Sequence, residues 1–186
     1  FNNEKIILLA AENHLDAYPQ RGEFLPHATY LALKSLSNNN KKGFFLMVEG
    51  SQIDFACHNS DSTYLINEMR DFNNVINIVL DFAKENPNTL VIVTADHETG
   101  GVALGAGGWG RDRIYWDKIE QAWNDAGQCN DLDGATNKAL NDAATIGWTT
   151  VYHTGENVPV YAIGKGAERF GGKIDNTEIK NKLLAL

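Results

Sequence analysis

The chain has 186 residues, 43% of them apolar, with a formal charge of −8 and a pI near 5.0. That length supports one domain with a full hydrophobic core, and that composition excludes a disordered segment. The acidic balance argues against a binder of nucleic-acid backbones, which needs clustered Lys and Arg, and no apolar run reaches the roughly 20 residues of a membrane-spanning helix.

Four apolar runs have the length of strands: KIILLA (5–10), FFLMV (44–48), TLVIV (89–93) and VPVYAIG (158–164). None alternates apolar with polar, the mark of strands buried on both faces in a parallel sheet covered by helices. Between the first two, LPHATYLALKSLS (25–37) predicts a helix, with Pro26 tolerable in its first turn. A longer helix is predicted over 62–85. Its residues Leu65, Met69, Phe72, Ile76, Val79, Leu80 and Ala83 recur at spacings of three and four and form one apolar stripe. Asp61 or Ser62 is placed to cap it, and Asn86-Pro87 to stop it.

The alternation of strands and helices predicts an α/β fold, a three-layer sandwich around a mostly parallel sheet. Residues 105–150 break the rhythm. They are rich in Gly, Trp, Asn and Asp, with modest helical patterns at 112–126 and 135–146, and read as an irregular insertion over the site face of a single domain spanning 1–186. The tail DNTEIKNKLLAL (175–186) reads as a capped terminal helix. Phe1 is not an initiator Met and no signal-peptide pattern is visible, so the chain is expected to be processed or an excerpt of something longer.

Chemistry concentrates around three of the five histidines. FFLMVEGSQIDFACH (44–58) ends a predicted strand and then offers Glu49, Asp54 and His58. Asp54 and His58 share one face if the segment takes a helical turn, and a carboxylate and an imidazole at that spacing can grip one metal ion. TADHETGG (94–101) places Asp96 and His97 at the end of the next strand, where only a bend lets neighbouring side chains serve one ligand. YHTGE (152–156) puts His153 in a glycine-containing loop. Ligands of open α/β sheets gather beyond the carboxyl ends of strands, a rule that Glu49, Asp96 and His97 obey. His153 precedes its strand, and nothing local forces its loop back over the sheet.

Each of these residues alone is more simply a cap or a solvated loop residue; their repetition after two buried runs is what suggests a metal site. The remaining features read as structural. His14 and His27 fall to packing or surface, and Ser51 lacks a base at a diagnostic spacing. Cys57 and Cys129 match no disulfide or zinc scaffold and read as free thiols. GAGGWG (105–110) lacks the ending and context of a phosphate loop.

VEGSQID, the later His58, VTADHETGG and HTGENVPVYAIGKGA, in this order and followed by the DNTEI helix, resemble the C-terminal half of bacterial alkaline phosphatases. The resemblance runs from about Lys42 to the end and is weakest over 105–145. It implies two zinc ions and one magnesium. Asp54, His58 and His153 match the ligands of the first zinc, Asp96 and His97 match ligands of the second, and Glu49 matches a magnesium ligand. It also implies hydrolysis of phosphate monoesters through a phosphoserine, a homodimeric parent, and a periplasmic or extracellular location.

The family's nucleophilic serine, its bridging aspartate and its phosphate-gripping arginine belong to an N-terminal half that these residues do not match. No Asp-Ser-Ala motif occurs, so no catalytic nucleophile is assigned, the isolated chain is expected to be inactive, and only the Asp54/His58/His153 zinc is expected to persist. A truncated sheet is further expected to drive self-association. Phe55 stands after Asp54, where some relatives carry a charged or polar residue that tunes metal and phosphate binding. The rival readings are a phosphodiesterase or sulfatase of the same superfamily, and a non-catalytic binding module.

Overall fold

A computed structural model describes residues 7–38, 40–105, 116–125, 141–142 and 145–186. In chain order these give helix α1 (Phe24–Ser37), α2 (Gln52–His58), α3 (Ser62–Glu85), strands β1 (Leu90–Val93), β2 (Glu98–Thr99) and β3 (Ala103–Leu104), helix α4 (Trp116–Asp125), strands β4 (Ile146–Gly147), β5 (His153–Thr154) and β6 (Tyr161–Gly164), a 3-10 turn (Ala167–Phe170), and helix α5 (Glu178–Leu184).

Both long helices form where the pattern predicts them. In α1, Pro26 sits in the first turn, where no intrahelical N–H bond is lost, and Thr29 satisfies its buried hydroxyl on Leu25 O at 2.8 Å. In α3, the Asp61 carboxylate accepts the Tyr64 N–H at 2.9 Å, so Asp61 is the cap, and Asn86 ends the helix before Pro87. The terminal helix α5 forms too. Asp175 accepts from Thr177 N at 3.0 Å and Thr177 Oγ1 at 2.6 Å just before it.

The face that α3 buries is not the one its periodicity marks. Leu65, Phe72, Ile76, Val79, Leu80 and Ala83 are half-buried and Met69 is exposed, whereas Thr63, Asn67, Glu68, Asp71 and Val75 are buried. Arg21 makes this possible. Its guanidinium donates to both Glu68 oxygens, at 2.8 and 2.6 Å, and to Asp71 Oδ2 at 2.6 Å, while Tyr18 N donates to Glu68 Oε1 at 2.7 Å. A buried carboxylate is tolerated only when paired and hydrogen-bonded. Burial by itself lowers the Arg21 pKa; the hydrogen bonds and charges of Glu68 and Asp71 outweigh it and raise the value.

The chain is α/β, but a mostly parallel sheet does not emerge among the described residues. Their strands form three antiparallel pairs: β1 with β6, β2 with β5, and β3 with β4. In the longest, Leu90 faces Gly164 and Val93 faces Tyr161. Gly164 is required there: its φ is +98°, and a Cβ would lie 2.0 Å from Thr89 O. Residues 7–10 and 44–48 carry strand-like sequence but join no ladder, and Leu8, Leu9, Phe45 and Met47 are 75, 86, 74 and 74% exposed. A strand is completed by a neighbour on each edge, and these two segments find none among the described residues. The helix predicted over 112–126 is observed as α4; most of the one predicted over 135–146, and much of the 105–150 insertion, lies outside the described residues.

Candidate metal centre

β1 ends at Val93, and the chain bends at Asp96 and His97 before β2 begins. The bend supplies what neighbouring side chains need in order to approach one point: His97 Nε2 lies 3.4 Å from Asp96 Oδ2, although the Asp96 side chain is 88% exposed. Behind them the glycines turn the chain. Gly100 has φ +89°, and a Cβ there would stand 2.7 Å from the Trp148 ring.

The same turn brings in His153. β5 pairs antiparallel with β2, with Thr99 opposite His153 and Glu98 opposite Thr154. Gly100 N donates to Tyr152 O at 3.0 Å, and Gly100 O accepts from Thr149 N at 2.9 Å. Glu98 closes the turn by accepting from Gly101 N at 3.0 Å and from the Thr154 hydroxyl. His153 therefore arrives by pairing with β2, a contact 54 residues distant that no local signal announces.

Asp54 and His58 come from α2, one helical turn apart, with His58 Nε2 3.3 Å from Asp54 Oδ2. Buried Gln52 anchors the helix start by donating to Leu15 O at 2.8 Å and accepting from the Tyr64 hydroxyl. The two groups converge. Ligand atoms of Asp54, His97 and His153 lie within 4.8 Å of one another. His153 Nε2 is 3.9 Å from Asp54 Oδ1, and the His97 and His153 rings stack at 3.6 Å between centroids. His58 sits against His153 at 5.2 Å.

Four of the six sequence-derived residues thus meet, and Asp96 stands at the rim. Glu49 does not join the three clustered ligands. It lines a cleft of about 220 Å³ with His14, Arg21, Ser51 and Glu68. The grouping also crosses the division that the resemblance implies, since His97 rather than His58 completes the tightest trio. Sequence reading missed Thr99, which donates to Asp54 Oδ1 at 2.6 Å and lies 3.1 Å from His97 Nδ1. A signal was present in the spacing: Thr99 stands two residues after His97, within reach of its ring across the bend. Glu98, which secures the strand of His153, was missed as well.

The donor set fits a cation. His58 Nδ1 lies 2.6 Å from Val151 O, and a carbonyl only accepts, so Nδ1 carries a proton while Nε2 faces Asp54 Oδ2 at 3.3 Å. Either a proton on Nε2 or a cation between Nε2 and the carboxylate satisfies that approach. One carboxylate with neutral imidazoles is a zinc-type ligand set. Cys57, buried on α2 itself, does not join the clustered ligands. Burial first, then the charges of Asp54 and Glu98, pushes its thiol up to about 11, so it stays protonated and unreactive at neutral pH.

Residues 12–186 match the family model described as alkaline phosphatase. The chain belongs to the alkaline phosphatase family. Alkaline phosphatase 3 of Bacillus subtilis is 40% identical over 87% of this chain and 44% of its own length. Alkaline phosphatase 4 of the same organism is 34% identical over 99% of this chain and 48% of its own. Among solved structures, the cold-active alkaline phosphatase of a psychrophilic Shewanella superposes with a TM-score of 0.69 at 33% identity, over 87% of this chain and 50% of that one. The chain thus spans about half the length of the relatives it matches, and the antiparallel pairs described above sit within an alkaline-phosphatase fold.

Proposed function

We propose that this chain supplies the metal-binding part of a phosphate monoester hydrolase. The observation that carries the reading is the convergence of Asp54, His97 and His153 within 4.8 Å in an alkaline phosphatase chain. Asp54, His58 and His153 would hold a first zinc, Asp96 and His97 would contribute to a second, and Glu49 would reach a magnesium. When bound, such ions lower the pKa of an attacking oxygen and offset charge on a leaving one.

The residues in hand do the rest. Val151 O accepts from His58 Nδ1, so Nε2 is the ring nitrogen turned to Asp54 and the one a metal would take. The stacked pair His97 and His153 presents two imidazoles from one ladder. A chain with a formal charge of −8 repels a phosphate dianion until cations at these carboxylates invert the local field. We infer that the serine nucleophile and the remaining ligands lie in sequence that these residues do not span. The parallel sheet, a single domain with 105–150 over the site face, a homodimeric parent and a periplasmic or extracellular location belong to the same reading; among the described residues no helix is long and apolar enough to cross a membrane. Exposed Leu8, Leu9, Phe45 and Met47 favour self-association of the chain on its own.

The test is the purified chain with zinc and magnesium against an aryl phosphate and, in parallel, aryl diester and sulfate esters. The expected result is bound zinc with turnover at background. Enzyme-like turnover of any of the three by this chain alone would sink the proposal.

A further inference from the structure

We infer that Thr99 is a positioning residue that fixes one imidazole tautomer and one carboxylate orientation together, and so ties the two halves of the metal centre to each other. A threonine hydroxyl has a single proton. Asp54 as a carboxylate only accepts, so the proton of Thr99 Oγ1 goes to Asp54 Oδ1 at 2.6 Å. The second contact of that oxygen is His97 Nδ1 at 3.1 Å. With the hydroxyl proton already committed, this contact is attractive only if Nδ1 is the donor. His97 therefore carries a proton on Nδ1, and in its neutral form Nε2 is the nitrogen left bare, beside Asp96 Oδ2 at 3.4 Å.

Three features hold the arrangement. Thr99 is buried, at 7% exposure, so water competes little for either bond. Its backbone is fixed by pairing with His153 in the β2–β5 ladder. The ring of His97 is pressed against His153 at 3.6 Å, so it cannot turn away from Thr99 freely. His58 is set by a backbone carbonyl and His97 by a side chain, and both turn Nε2 toward carboxylates. Asp54 is oriented through Oδ1 by Thr99, which leaves Oδ2 toward His58 Nε2 at 3.3 Å. The tautomer follows from hydrogen bonds alone; its service to a metal rests on the function proposed above.

Nitrogen-15 shifts of the His97 ring are the direct test, measured on the full chain at about pH 8.5, above the ordinary imidazole value of about 6.5. Wild type is expected in the Nδ1–H form. Thr99→Val keeps the shape and removes the hydroxyl; it should shift His97 toward Nε2–H and weaken zinc binding, read by chelator competition, by roughly 10–100-fold. Thr99→Ser should restore both. An Nε2–H wild type, or a Val variant with unchanged tautomer and affinity, overturns the assignment. If the Val variant does not fold, the wild-type tautomer still decides. A wild-type chain that shows the Nδ1–H form but holds no zinc would leave Thr99 in place and remove the metal reading instead.

Discussion

Two clusters of charged side chains, one on α3 and one on α2, are treated by the chain in opposite ways. Around Arg21, the carboxylates of Glu68 and Asp71 are 1 and 0% exposed and are answered by a guanidinium that is itself 5% exposed. Around Asp54, the side chains of Asp54, His58, His97 and His153 are 31–50% exposed, and the carboxylate faces imidazoles and one hydroxyl. Charge in the first cluster is paired from within and sealed. Charge in the second cluster is held in position and left accessible. The contrast sets a sealed ion cluster against the open one that we propose as the metal site.

The largest effect should come from breaking the sealed cluster. Arg21→Met strands two buried carboxylates, and a cost of about 3–5 kcal/mol is expected in urea unfolding. By contrast, Asp54→Asn, at a half-buried side chain that keeps an oxygen to accept from Thr99, should cost about 1 kcal/mol or less. If the two variants proved equally destabilising, the distinction between the clusters would be wrong. Next in size is Gly164→Ala, which forces a Cβ against Thr89 O at a positive φ and should cost about 1–3 kcal/mol. It should leave zinc affinity untouched, because β6 carries no ligand.

The smallest effect is a pH dependence beneath the open cluster. The Cys57 thiol is raised from 9.0 to about 11 by burial and then by Asp54 and Glu98. An acid whose folded value is raised adds stability that is complete below its unfolded value and is lost as pH rises through the folded one. Stability should therefore fall between about pH 9 and 11. Cys57→Ala should flatten that limb in thermal melts taken across the window; an unchanged slope would place the loss elsewhere, with Tyr64, raised to about 12, the next group to test.

The sequence made some of this plain and hid the rest for identifiable reasons. Helices α1 and α3 were legible because their signals are local: Pro26 in a first turn, the Asp61 cap, Asn86-Pro87 as a stop. The buried face of α3 was not, because Arg21 reaches Glu68 and Asp71 across 47 and 50 residues and leaves no periodic trace. Pairing was hidden too. TLVIV and VPVYAIG read as members of one parallel sheet, yet β1 and β6 run antiparallel, and the two-residue strands β2 and β5 fall below any pattern. The candidate site was the most legible part, since Asp54, His58, His97 and His153 stand in short motifs that keep their spacing. Thr99 was readable as a near neighbour of His97, and it was overlooked because a threonine in a strand is ordinary.

Zinc content tests the central claim most directly: the purified chain equilibrated against buffered zinc, beside Asp54→Asn and His153→Ala variants confirmed as folded by circular dichroism. The account predicts that the wild-type chain retains a single zinc at the open cluster and that both variants release it. A folded wild-type chain without zinc, or variants that hold it as tightly, would contradict it.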